Sequence, residues 1–422
     1  MKRKIFAGGL LLFALVGQAQ ITIEECYRKA QENYPLIKQY DLIEKTKEYN
    51  LANASRGYLP QVMLSAKAIY QSDVTKMPFD LAQLGMQGIK IPTLSKDQYG
   101  VTLEINQTIW DGGEISSQRA IARTGSAVEE KKVEVNIYSI NDRVNRIYFG
   151  ILLTDARIEQ NRLLKKELQR NYDRVYSCML GGIANSSDLD AVRVDQLKAE
   201  QNEVALLCTK QAYVEMLSQL IGEEIDATAE FVKPSIMRPS TDAINRPELE
   251  LYDMQVKNFE AENRRVSSAL YPRFGLFITG GYGRPGLDML KNEFSPYYLA
   301  GVRMSWNIGS FYTEKNRRRV IRNNIQSVEA QRETFLFNTR LDIAMKDKSI
   351  EKYVEQLKYD DEIIRLKTSI REASEKKMEN GTLSGTDLMR DVNAEQMAIQ
   401  DKILHEMELL SAIYDLKFAT NN

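Results

Sequence analysis

The sequence predicts a mainly α-helical chain with a small β-region of four strands, built as an internal tandem duplication. Three observations carry this. Long proline-free stretches hold apolar residues at helical spacing. Four runs of about ten residues alternate with period two. Both patterns occur twice, in the same order and between matching landmarks.

The landmarks establish the repeat. Asn33-Tyr34-Pro35 opens a helical stretch ending at Tyr58-Leu59-Pro60, and Asn245-Arg246-Pro247 opens another ending at Leu270-Tyr271-Pro272, an offset of 212 residues. The chain's two tryptophans follow, in Trp110-Asp111-Gly112-Gly113 and Trp306-Asn307-Ile308-Gly309, offset by 196. Two glycine-then-aspartate stretches come last, Gly182 to Asp188 and Gly381 to Asp387, offset by 199. The expected division is a leader over 1–19, a first repeat over 20–222, a connector over 223–246 and a second repeat over 247–420.

The leader reads as a secretory signal peptide. Lys2, Arg3 and Lys4 precede the apolar run Ile5–Val16, and Gly17-Gln18-Ala19 is a small-x-small cleavage site. Its removal takes the formal charge from −1 to −4, because it carries three cations and no acid. That mild acidity argues against a nucleic-acid partner. No other apolar stretch is long enough for a membrane-spanning helix. Three cysteines, Cys26, Cys178 and Cys208, are an odd and sparse set that does not read as a disulfide framework.

In each repeat a first helix leads to a proline, then a strand, a loop and a second strand, then a very long helix, a Gly…Asp turn and a last helix. Between Glu114 and Met179 there is no proline, and Val133, Ile137, Ile140, Val144, Ile147 and Ile151 form a seam of period 3.5. In the second copy Leu336, Ile343, Ile350, Leu357 and Ile364 are spaced by seven. Each such helix would reach roughly 100 Å by its rise, too long for a globular core, so it must lie in a coiled-coil-like bundle.

The strands are expected at 61–70 and 101–110 around a loop at 73–95, and at 273–283 and 297–308 around a loop at 284–295. Val62, Leu64, Leu103, Ile105, Phe274, Leu276, Val302, Met304 and Trp306 fall on apolar faces, opposite Lys67, Glu104, Arg273 and Arg303. A half-buried soluble sheet gives the same alternation. Export, the lack of another membrane element and the charges on the polar face favour tilted membrane strands, with that face turned to a wet lumen. Open strand edges are not tolerated in lipid, so four strands would have to be completed by further copies: two chains give eight, three give twelve.

With the duplicated plan, the aromatic-Asp-Gly-Gly turn at 110–113 and the paired Gly-x5-Asp stretches, the mature chain resembles the TolC-like outer-membrane efflux channels. That resemblance implies a homotrimer with a shared twelve-stranded barrel in outer-membrane lipid and a helical tunnel through the periplasm. It implies a periplasmic adaptor and an inner-membrane pump, of the RND or ABC class, as partners. It places the adaptor-docking tip at two turns, 181–188 and 380–387, with Gly181, Gly182, Ser187, Asp188, Gly381, Thr386 and Asp387. Ser187 or Asp188, and Thr386 or Asp387, are suited to cap the outgoing helices. The pore gate is expected at Asp387, Arg390 and Asp391, through an Asp387–Arg390 or Arg390–Asp391 arrangement, since Met378 and Leu383 stand where a tyrosyl and a basic residue would be expected.

No catalytic, cofactor or metal site is expected. His405 is the only histidine, and Gly281–Gly286 matches a GxGxxG pattern but leaves a strand into a proline loop, with no helix to receive a phosphate. The alternative to a channel is a soluble periplasmic or surface coiled-coil protein with a β-region for binding.

Overall fold

The computed structural model describes residues 20–75, 93–182, 184–226, 229–238 and 243–422. The signal peptide and most of the first loop lie outside the described residues. The elements run α1 (Ile23–Asn33), α2 (Lys38–Ser55), β1 (Gln61–Tyr70), β2 (Asp97–Trp110), α3 (Glu114–Tyr138), α4 (Ile140–Leu180), α5 (Ser186–Ile221), α6 (Pro247–Ser268), β3 (Arg273–Arg284), β4 (Ser295–Ser305), α7 (Ser310–Glu379) and α8 (Gly385–Thr420). None of the described helices is long and apolar enough to cross a membrane. The chain divides into two compact units, one of 1–38, 133–249 and 333–422, the other of 39–132 and 250–332.

The first unit is helical. Its core is made by α1, α4, α5 and α8: Ile23, Cys26 and Ala30 meet Val144, Tyr148 and Ile151, Leu217 and Ile221, and Leu410, Ile413 and Leu416, all buried. Tyr148 is fully buried, and its hydroxyl donates to the carbonyls of Ile21 at 2.8 Å and Val232 at 2.7 Å. The connector is thereby tied to the chain's beginning, where Ile21 forms a parallel bridge with Phe231. The seam Val133, Ile137, Ile140, Val144, Ile147 and Ile151 is buried as its period demands. The long helix of the first repeat differs from the expectation in being broken at Ser139, between α3 and α4. The break is slight: Ser139 keeps helical backbone angles and donates its N–H to Val135 at 3.1 Å. Helix α7 is unbroken over 70 residues, about 105 Å of helix axis.

The second unit carries the sheet, an antiparallel meander in the order β1-β2-β3-β4. Among the described residues both outer strands, β1 and β4, have a free edge. β2 starts at Asp97, four residues earlier than its alternation suggested, and β4 runs over 295–305, so Trp306 and Ile308 lie past its end. The register shifts between Thr108 and Trp110, leaving Ile109 out of the pairing and placing Trp110 opposite Phe274. The expected first helix, 33–60, is α2 flanked by short 3-10 turns at 35–37 and 56–58. The turn after β2 explains its glycines. Asp111 is buried and accepts from the N–H of Gly113 at 2.9 Å and of Ile115 at 2.6 Å, capping α3. Gly112 has φ +72°, and a Cβ there would come within 2.8 Å of the Tyr271 side chain.

Candidate functional site

Two places gather the residues singled out by the sequence: the paired turns of the helical unit and the two faces of the sheet.

Each turn is built on one plan. α4 ends at Gly181, and Gly182 takes φ +74°, donating its N–H to the Met179 carbonyl at 3.0 Å. α7 ends before Gly381, whose φ is +71° and whose N–H reaches the Met378 carbonyl at 2.9 Å. A left-handed residue at this point reverses the chain, and glycine does so without a Cβ clash. The outgoing helices are capped at Asn185 and Ser384, two positions before Ser187 and Thr386 and three before Asp188 and Asp387. Asn185 accepts from the Asp188 N–H at 3.1 Å, while the Asp188 carboxylate accepts from the Asn185 N–H at 3.2 Å, a reciprocal capping box. Ser384 accepts from the Asp387 N–H at 3.1 Å and donates its hydroxyl to the Asp387 carboxylate at 2.8 Å. Ser187 donates to Asn185 at 2.5 Å and so steadies the cap, and Thr386 is exposed. Each turn therefore reads N/S-x-x-D, a signal present in the sequence at 185–188 and 384–387.

The two turns touch. Gly385 and Asp188 are both buried, and a Cβ on Gly385 would sit 3.0 Å from the Asp188 Cβ. Sequence reasoning missed Gly385, because its need for glycine arises from the facing turn and not from its own backbone. Around this contact α4, α5, α7 and α8 close a core of Leu168, Val175, Val192, Met378, Leu388, Met389 and Val392, with Leu189 and Leu383 packed against it. Met378 and Leu383 thus belong to the packing around the two turns. By contrast the top of the first turn is open: nothing lies within 4 Å of a Cβ on Gly182.

The residues named for the gate separate. Arg390 pairs with Asp387 at 3.0 Å, three residues apart on α8 and largely exposed. Asp391 turns the other way and accepts from the Ser374 hydroxyl at 2.5 Å. The Arg390–Asp391 arrangement is not the one adopted. A stronger ionic cluster lies a few turns along the same helices. Arg371 meets Glu395 at 2.6 Å, Glu375 at 2.6 Å and Glu167 at 3.4 Å, with all four side chains at least four-fifths buried. Burial, only partly offset by Arg371, raises the Glu167 carboxyl above the usual glutamate range. On Arg371 itself burial acts downward, but the carboxylates outweigh it and raise its pKa further. No local sequence pattern marks this cluster, since its members come from α4, α7 and α8. The only histidine, His405, pairs with buried Asp360 at 2.8 Å. The three cysteines are free, and burial pushes the Cys26 thiol up to about 12.

In the sheet the register sorts the side chains into two faces. Val62 stands opposite Ile105, Leu64 opposite Leu103, Ile105 opposite Ile278, Leu276 opposite Val302 and Phe274 opposite Met304. This face carries no charge between its ends, and most of its large side chains are exposed. At the loop end it carries Tyr70, Tyr99, Tyr282 and Tyr298. At the other end Trp110 packs edge-on against Tyr271 at 6.0 Å and tilts against Phe274 at 5.9 Å, and Trp306 contacts Phe311 at 6.4 Å. Trp306 is held beyond the strand, its indole N–H donating to the Leu270 carbonyl at 3.0 Å. Lys67, Glu104, Arg273 and Arg303 all lie on the opposite face. There Arg303 lies over the Phe277 ring at 4.7 Å and reaches across β3 to Glu104 at 3.2 Å.

Residues 26–223 match the family model described as outer membrane efflux protein. Solved structures share the fold. VceC, an outer membrane protein of Vibrio cholerae, aligns with a TM-score of 0.69 and 13% identity over 95% of this chain and 96% of that one. The open-state MtrE outer membrane channel of Neisseria gonorrhoeae gives 0.66 and 14% over 95% and 89%. The CmeC outer membrane channel of Campylobacter jejuni gives 0.65 and 13% over 94% and 85%. No curated protein sequence matches the chain. The outer membrane efflux protein signature therefore runs through residues 26–223, and the fold of these outer-membrane channels extends over about 95% of the chain.

Proposed function

We propose that this protein is the passive outer-membrane duct of a tripartite efflux or type I secretion system. Three copies close one barrel of twelve strands, and the paired helices continue it as a tunnel. Substrate arrives from an inner-membrane pump through a periplasmic adaptor, and the energy comes from the pump.

The observation that carries this reading is the sheet. An uncharged, exposed apolar face bounded by aromatic residues at both ends is what a lipid-facing barrel wall requires. Strands of 10 to 14 residues, tilted as in membrane barrels, span about 25 Å. Two free edges cannot face lipid, so β1 of one chain pairs with β4 of the next.

The turns at 181–188 and 380–387 are the surface for the adaptor. Gly182, with open space above it and a left-handed backbone, supports a close backbone approach by a partner. Gly182→Trp and Gly381→Trp are expected to abolish export while heat-modifiable trimers still form. Normal export and normal adaptor cross-linking by both variants would remove the turns from the docking role. At the gate, the Asp387–Arg390 pair restrains the pore mouth. Asp387→Ala is expected to raise single-channel conductance in planar bilayers, and unchanged conductance would count against a gating role.

A further inference from the structure

We infer that the barrel interior favours anions and that Lys67, Arg273 and Arg303, set against Glu104, determine this preference. The inference rests on the channel reading above and adds which ions its membrane segment passes more readily.

The register places every paired side chain of the four strands on one face or the other. On the face opposite the apolar one stand Gln61, Met63, Ser65, Lys67 and Ile69 of β1, Gly100 to Thr108 at alternate positions of β2, and Arg273 to Gly283 and Ser295 to Ser305 likewise of β3 and β4. Its charged members are three cations and one anion, a surplus of two positive charges per chain. A threefold barrel multiplies that surplus around one lumen, and rings of basic side chains select anions.

The anion is not free to offset a distant cation. Glu104 accepts from Asn106 at 3.0 Å and from Arg303 at 3.2 Å, so its charge is matched locally. Arg273 lies 3.9 Å from Glu114 at the start of α3, at the limit of an ion pair. Lys67 forms no ion pair within the described residues, and its stem runs over Gly100, where a Cβ would meet its Cε at 3.6 Å.

Glycine placement supports the same assignment of faces. Gly100, Gly275, Gly281, Gly283 and Gly301 all lie on the charged face, and only Gly280 on the apolar one. A concave inner wall has less room per residue than the outer wall, and the missing side chain at Gly100 lets Lys67 lie along the sheet, while Arg303 lies over the Phe277 ring. The positive groups are thus held against the wall, where they act on passing ions without blocking the lumen.

The test is the reversal potential of purified trimers in planar bilayers under a potassium chloride gradient. Three substitutions, two at Lys67 and one at Glu104, are compared with the unaltered protein. Lys67→Glu is expected to shift the reversal potential toward the potassium limit, with Lys67→Gln giving about half that shift because it changes the charge by one instead of two. Glu104→Gln, which keeps a hydrogen-bonding group for Arg303, is expected to shift it toward the chloride limit. Conducting trimers whose reversal potential is the same in all four proteins would overturn the inference, as would shifts of the same sign for Lys67→Glu and Glu104→Gln. Absence of any conductance from the unaltered trimer would overturn the channel reading and the inference together, and is distinguishable from the first two results.

Discussion

Asp188 shows how much one residue of a turn does. Its carboxylate closes the capping box on Asn185, and its Cβ is the surface against which Gly385 packs. Asn185→Ala is expected to cost about 1 kcal/mol of local stability by freeing the Asp188 N–H. Gly385→Leu is expected to cost more, because the two turns must separate. Hydrogen exchange over residues 175–199 and 378–396 reads both effects. Glu114 and Glu167 respond to pH with opposite signs. Burial acts to raise Glu114, but hydrogen bonds from Gln118, Arg265 and Ser268 outweigh it and hold its carboxyl low. Its contribution is present above the ordinary glutamate value of about 4.3 and is lost as pH falls through the depressed one. Glu167 is raised, so its contribution is present below the ordinary value and is lost as pH rises through the raised one. Replacing each by Gln and following unfolding between acid and neutral pH should remove a positive slope in the first case and a negative slope in the second.

At the scale of the element, the helices and strands were largely legible because each obeys a short-range period. The seam from Val133 to Ile151 and the alternation from Val62 to Tyr70 state their own structure, and both seam and strand occupy those positions. The N/S-x-x-D caps were equally local and were misassigned by two or three positions, to Ser187 or Asp188 and to Thr386 or Asp387. Irregularities that depend on a partner were not legible. The slip at Ile109 belongs to the pairing with β3, and the glycine at 385 to the facing turn. The Arg371 cluster joins three helices whose contact no single stretch encodes. Arg371→Met leaves Glu167 and Glu395 without that cation, while Glu375 keeps Arg174 at 3.3 Å, and is expected to cost about 3 kcal/mol in the packing of α7 and α8 on α4. Melting of the detergent-solubilised protein should show it. A charge-conserving Arg371→Lys should recover part of the loss, because Lys keeps the charge but loses the planar fork.

At the scale of the whole molecule, the duplication explains why each functional feature comes in pairs: two strand pairs, two turns and two long helical stretches per chain. The apolar sheet face and its two aromatic borders are exposed among the described residues of the single chain. Such a surface in water would drive association without limit. In a bilayer it is the ordinary outer wall of a barrel. The proposed function depends on where the sheet resides, and membrane fractionation of the protein tests this most directly. Recovery with the outer-membrane fraction, release only by detergent, and a trimer that shifts its migration on heating are expected. Recovery from the soluble periplasm without detergent would contradict it.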